Sequence, residues 1–232
     1  MIETHGLRQT SAHYSRLGAQ ECEKIHRASL EILEHVGVEV HDEKALDLLV
    51  KGGAKADGIV VRVPELMVLK ALAVTPKGTI LFDQKGEVAI RAQGHNSYYG
   101  GGSDCLYALD HRTNQRRLAV LQDVVDAQIV QDALPEVSFV MSAFLPSDVH
   151  PHIYDRYQME VMLNHSTKPI VFVSPDFEGC ELAIEMAEIV AGGADAFQRR
   201  PFATCYINVT DGLRANQEAL QKCMFLAGKG LP

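Results

Sequence analysis

The chain has 232 residues, 47% of them apolar and 22% charged, an ordinary composition for a folded protein with room for a sizeable core. Its 30 acidic residues outnumber 22 basic ones, for a net charge of −8, and no basic cluster stands out; nucleic acids and anionic membranes are thereby set aside as partners. No apolar run reaches bilayer-spanning length, the opening residues (MIETHGLRQT) lack a signal-peptide core, and Cys22, Cys105, Cys180, Cys205 and Cys223 form no C-x-x-C pair, so they read as reduced thiols of a cytoplasmic protein.

Apolar residues at helical spacing predict a first helix over 21–36, closed by Gly37. A second fits 43–50, with Asp42 as N-cap and Gly52-Gly53 at its end. Strands are expected at 59–63, 79–83, 88–92 and 107–109, with a helix from Pro64 through Ala73 and a hairpin turn around Gln84-Lys85-Gly86. Residues 1–136 therefore read as an α+β N-terminal extension.

From 137 onward the pattern becomes regular. Apolar strands are predicted at 137–144 (VSFVMSAF), 169–174 (PIVFVS) and 202–209 (FATCYINV), each followed by a helix, at 153–163, 180–190 and 216–227. The strand centres Phe139, Val171 and Thr204 recur about every 32 residues, the mark of buried parallel β joined by crossover helices. No Gly-x-Gly-x-x-Gly follows any of them, which removes the main support for a dinucleotide site. The fold class expected is α/β, a partial (β/α)8 TIM-type barrel whose first three βα units fill residues 137–232. A full barrel at this period needs roughly 250 residues, so the sequence reads as the N-terminal portion of a longer protein.

Two stretches carry candidate chemistry. In His95-Asn-Ser-Tyr98-Tyr99-Gly100-Gly-Gly-Ser-Asp104, glycines permit close backbone approach beside two aromatic faces; the segment is either a substrate loop with an aromatic wall or a flexible β-connection. Asp148, His150 and His152 follow the first barrel strand and offer a metal-dependent hydrolase as one alternative function, although prolines 146 and 151 interrupt them; a catalytically incomplete fragment whose open sheet edge pairs with another chain is the other. Ser142, Ser174, Asp176, Tyr206 and Asn208 fall near strand C-terminal ends, the catalytic face of a βα barrel; Asp176 fits equally as a helix cap. No Gly-x-Ser-x-Gly elbow occurs.

Several segments, taken in order, resemble the trimethylamine methyltransferase family of corrinoid-dependent methyltransferases. They are IHRASLEILEHVGVEV (25–40), Tyr98-Tyr99-Gly-Gly-Gly, DHRTNQRRLAVLQDVVDAQIVQD (110–132), Lys168-Pro-Ile-Val-Phe, Glu185-Met-Ala with Ala191-Gly-Gly, and Arg200-Pro-Phe. The resemblance implies a βα barrel with an N-terminal extension, about half of which lies within this chain. It also implies transfer of a methyl group from a methylated or quaternary amine, such as trimethylamine or glycine betaine, to the Co(I) of a corrinoid (cobalamin) on a separate partner protein. No cofactor or metal is then expected on this chain, and a homo-oligomer is. The pyrrolysine of members acting on trimethylamine belongs to the half beyond residue 232. The residues expected at such an amine are Tyr98, Tyr99, Gly100, Asp104, Asp176, Tyr206 and Asn208. A quaternary ammonium offers no hydrogen bond, so aromatic faces and nearby carboxylates are the groups that hold it.

Overall fold

A computed structural model describes residues 14–209 and 212–232. The chain forms two compact units. The described residues of Ala12–Lys77 and Ile207–Phe225 make one, and Gly78–Tyr206 with Leu226–Pro232 belong to the other.

The first unit is built from short pieces separated by glycine and capping residues. Helix α1 (Ala19–Glu31) relaxes into a π turn over Ile32–Val36 and stops at Gly37, whose φ of 90° a side chain would resist. Strand β1 (Val38–Val40) follows, then α2 (Glu43–Lys51), where the Asp42 carboxylate accepts a 2.9 Å hydrogen bond from the Ala45 amide as predicted. β2 (Lys55–Asp57) and β3 (Val60–Arg62) pair antiparallel, and Pro64 caps α3 (Glu65–Val74). β3 also pairs with β1, whose other edge takes the two-residue strand Arg214–Ala215 in parallel. Val40, Ala45, Ala54 and Val61 form the core, with Leu46, Leu49, Met67, Leu220 and Met224 packed around them. Sequence patterning misses β1, β2 and Arg214–Ala215, because two or three residues hold too little alternation to register.

The second unit opens with the expected hairpin, β4 (Gly78–Phe82) and β5 (Val88–Gln93). A second hairpin, β6 (Tyr107–Leu109) and β7 (Arg116–Leu118), turns through the Asp110 carboxylate, which accepts from the Arg112 and Thr113 amides. α4 (Leu121–Ala133) comes next, an element that the sequence pattern does not announce. Its N-terminus is capped in two ways. Asp123 accepts from the Val120 amide at 2.8 Å, and Asp148, 27 residues on, accepts from the Leu121 amide at 2.8 Å. Val120 has no side-chain acceptor, so Asp148 supplies what an ordinary N-cap residue would.

After α4 the chain alternates as predicted: an extended segment at 137–144, α5 (Tyr154–His165), β8 (Ile170–Phe172), α6 (Phe177–Ala191), a short α7 (Ala194–Arg199) and β9 (Ala203–Cys205). The helix Gln217–Lys229 matches the last predicted one. β8 and β9 pair in parallel, and Val140 bridges Ile170 in parallel on the other side. The array extends one segment further than the sequence suggests. Gly100 bridges Phe139 and Cys105 bridges Phe144, both parallel, with Ser138 N donating to Tyr99 O at 2.7 Å and Ala143 N to Gly102 O at 2.9 Å. The glycine-rich stretch is thus an extended neighbour of the 137–144 segment, and α4 is the crossover between them.

The 137–144 segment itself is not a regular strand. Ala143 has φ of 63°, and the peptide groups of Met141 bond to the side chains of Gln128 and Gln131 on α4. The architecture is mixed α/β with small sheets, and no closed barrel forms among the described residues. β4–β5 sits at the N-terminal end of the array: Phe82 N donates to Pro201 O at 2.9 Å, and Gln84 N to Thr167 O at 2.9 Å. The C-terminal ends, Asp104, Phe144, Ser174 and Tyr206, therefore face away from that hairpin.

Candidate functional site

At the C-terminal ends of the parallel segments, the start of α5 meets the start of α6. Asp155 is 5% exposed and fully engaged. Its Oδ1 accepts from Arg156 Nη1 at 2.9 Å and its Oδ2 from Ser174 Oγ at 2.8 Å. Ser174 Oγ also lies 2.9 Å from the Asp176 carbonyl, so its one proton serves one acceptor at a time. Gly179 is what allows this approach. A Cβ there would stand 2.1 Å from Asp155 Oδ2 and 2.5 Å from Ser174 Oγ.

The Arg156 guanidinium reaches on to Asp176 at 3.5 Å and Glu178 at 3.8 Å. Burial raises the Tyr154 phenol pKa, and the negative charges of Asp104, Asp155 and Asp176 raise it further. One guanidinium among the carboxylates of Asp104, Asp155, Asp176 and Glu178 leaves this end of the array negative. Asp104 adds two features. Its backbone has φ of 60°, and its Oδ1 is buried with no hydrogen-bond partner.

Of the other anticipated residues, Tyr98, Tyr99 and Gly100 lie beside Ser138 and Phe139, at the N-terminal end of the array and away from this cluster. Tyr98 is half-buried, and its hydroxyl accepts from the Arg91 amide at 3.0 Å, which ties the ring to β5. Tyr99 is 70% exposed. Gly100 packs on the Phe139 ring so closely that a Cβ would lie 2.5 Å from it. Asp176 caps α6, accepting from the Gly179 amide at 2.7 Å, so the structural reading of this residue holds alongside its electrostatic one. Tyr206 lies just beyond β9 and is 58% exposed. Asn208 belongs to the other unit, where its carbonyl accepts from Asn216 Nδ2 at 3.1 Å.

Ser142 is buried. His150 and His152 stack with ring centroids 5.3 Å apart, and the His150 ring accepts from the His152 amide. With Asp148 occupied at the start of α4, no third ligand joins them; no group of three or more His, Cys, Asp or Glu placed to hold a metal occurs among the described residues. Tyr154, Asp155 and Arg156 escape the sequence reading, which places chemistry on loops after strands. The available signal is an Asp-Arg pair in the first turn of the helix following such a loop.

Residues 2–232 match the family described as trimethylamine methyltransferase (MTTB). The chain is similar to the trimethylamine methyltransferase MttB of Desulfitobacterium hafniense (strain DSM 10664 / DCB-2), 26% identical over 215 residues, which are 92% of this chain and 43% of that protein. It is similar to the glycine betaine methyltransferase of D. hafniense (strain Y51), 25% identical over 220 residues, 94% of this chain and 45% of that protein. A proline betaine:corrinoid methyltransferase of Eubacterium limosum is 28% identical over 158 residues, 66% of this chain and 32% of its own length. The chain thus spans less than half the length of these relatives.

Proposed function

Because the chain belongs to the trimethylamine methyltransferase family, we propose that it is the N-terminal portion of an enzyme that moves a methyl group from a methylated or quaternary amine to a corrinoid on a separate protein. The observation that carries this reading is the family match along residues 2–232, together with relatives that are methylamine and betaine methyltransferases. A Co(I) corrinoid on the partner would supply the nucleophile for the methyl carbon, with the C–N electron pair leaving on the amine nitrogen.

This chain's share of the chemistry is to hold and orient a cation. The negative end of the parallel array is suited to that: Asp104 has a carboxylate oxygen without a partner, and Asp155, Asp176 and Glu178 outnumber Arg156. Tyr154 and Tyr206 offer aromatic faces at the same end. Displacement at carbon needs alignment and exclusion of water more than a general base, in keeping with the lack of a nucleophile–histidine pair in the cluster. The parallel βα units are read as the opening units of a (β/α)8 barrel that the rest of the protein completes. The protein is read as cytoplasmic and homo-oligomeric; no described helix is long and apolar enough to cross a membrane.

Equilibrium dialysis of the full-length protein against glycine betaine and 3,3-dimethylbutyrate, its isostere with tert-butyl in place of the trimethylammonium, tests the cation reading. Saturable binding of the betaine, with much weaker binding of the isostere, is expected. Equal affinity for the two contradicts it, because carboxylates and aromatic faces discriminate by charge.

A further inference from the structure

The opposite end of the array carries a second concavity of different chemistry. It has a volume of about 450 Å³ and lies between the β4–β5 turn and the segment from the end of α6 to β9. Val190, Ala191 and Ala196 give its lining apolar surface, and Lys85, Arg199 and Arg200 line it with cations.

Lys85, Arg199 and Arg200 form no ion pair among the described residues, and in a chain of net charge −8 they bring three cations to one concavity. Asp83 is the carboxylate among the lining residues, and its Oδ1 accepts from the Lys85 and Glu87 amides, which turns it toward the β4–β5 turn.

The walls are fixed. Phe82 N bonds Pro201 O at 2.9 Å, and the Phe197 and Phe202 rings meet edge-on beneath, 5.2 Å between centroids. Gly86, at φ 85°, leaves room for the Arg200 guanidinium, whose Nη1 lies 2.9 Å from where a Cβ would be. The turn thereby sets the position of one of the three charges.

We propose that this concavity binds a small organic phosphate, with the phosphate at Lys85, Arg199 and Arg200 and a short apolar body on Val190, Ala191 and Ala196. Guanidinium groups suit a phosphate better than a single carboxylate, since each can donate two parallel hydrogen bonds. The site lies at the end of the array away from Asp104, Ser174 and Tyr206, so it is separate from the proposed amine site.

Calorimetric titration of the protein with n-butyl phosphate, inorganic phosphate and n-butanol tests it. Butyl phosphate is expected to bind saturably and more tightly than inorganic phosphate, and butanol not at all. The R199Q/R200Q double variant, with its far-ultraviolet spectrum and melting temperature unchanged, is expected to lose about tenfold or more in affinity. R112Q, which removes an exposed charge from the β6–β7 turn, is expected to bind as wild type does. Undiminished binding by R199Q/R200Q, an equal loss in R112Q, or no saturable binding by wild type overturns the proposal.

Discussion

Asp123 shows how much one carboxylate does in this chain. Arg117 grips it through two bonds, Nη1 to Oδ2 at 2.6 Å and Nη2 to Oδ1 at 2.7 Å, while Oδ2 also accepts from the Val120 amide. The hydrogen bonds from Arg117, then that from Val120, hold its pKa below the ordinary carboxylate value, against the opposing effect of burial. A depressed folded-state pKa contributes stability that is present above the unfolded value, about 3.9, and lost as pH falls through the folded one. Asp123→Asn should therefore cost about 1–2 kcal/mol at neutral pH through the lost charge on its Arg117 and Val120 bonds. The gap from wild type in thermal melts should shrink as pH drops below about 4. A gap that stays constant to low pH would show that the charge is not what matters. Gly179→Ala sets two effects against each other. Helix propensity favours alanine by about 1 kcal/mol, but contacts of 2.1 and 2.5 Å with Asp155 and Ser174 force a shift costing about 1–3 kcal/mol. Net destabilisation by denaturant melting is expected. Tyr98 and Tyr206 separate a structural from a binding role. Tyr98→Phe should lower stability by about 0.5–1.5 kcal/mol through the lost Arg91 bond and leave amine affinity unchanged. Tyr206→Ala, at an exposed position beyond β9, should leave stability alone and weaken betaine binding by about 0.5–2 kcal/mol in the full-length protein.

At the scale of elements, α4 explains why some of the fold is legible in the sequence and some is not. The crossover helices after 137 are visible because apolar strands and periodic helices alternate at a steady interval. α4 is not, because its apolar residues point around much of its circumference and its buried positions include Gln128. That glutamine and Gln131 serve the Met141 peptide groups in place of a sheet neighbour, which is why the 137–144 stretch reads as a strand yet pairs only at isolated residues. The 98–105 segment is ambiguous for a related reason. Its glycines signal a turn, whereas their actual use is close approach to Phe139 and Gln131. The site is legible to the same degree: Asp104 and Asp176 stand out in the sequence, but Asp155 and Arg156 are hidden in a helix start. α4 also depends on a distant residue at its C-terminal end. Lys168 Nζ donates to the Gln131 and Leu134 carbonyls, both at 2.6 Å, placing a cation where the helix dipole favours one. Lys168→Met should destabilise the fold by about 1–2 kcal/mol. It should also speed amide exchange in the last turn of α4 ahead of the first; uniform exchange along the helix would contradict this.

The whole molecule leaves a good deal of apolar surface uncovered. On α3, Leu66 is 62% exposed and Val74 83%, although the helix is mostly apolar. In the other unit, β9 pairs with β8 alone. Surfaces of this kind drive self-association when nothing else covers them. Residues 1–232 expressed alone should sediment as oligomers or aggregates and show no methyl transfer; a monodisperse, cooperatively melting monomer would contradict the barrel reading. The central claim is that the complete protein demethylates a quaternary or methylated amine. The direct measurement is the absorbance of a Co(I) corrinoid protein mixed with the full-length enzyme. Loss of the Co(I) band is predicted on adding glycine betaine, proline betaine or trimethylamine, and only with enzyme present. A Co(I) band unchanged by all three amines would contradict the account.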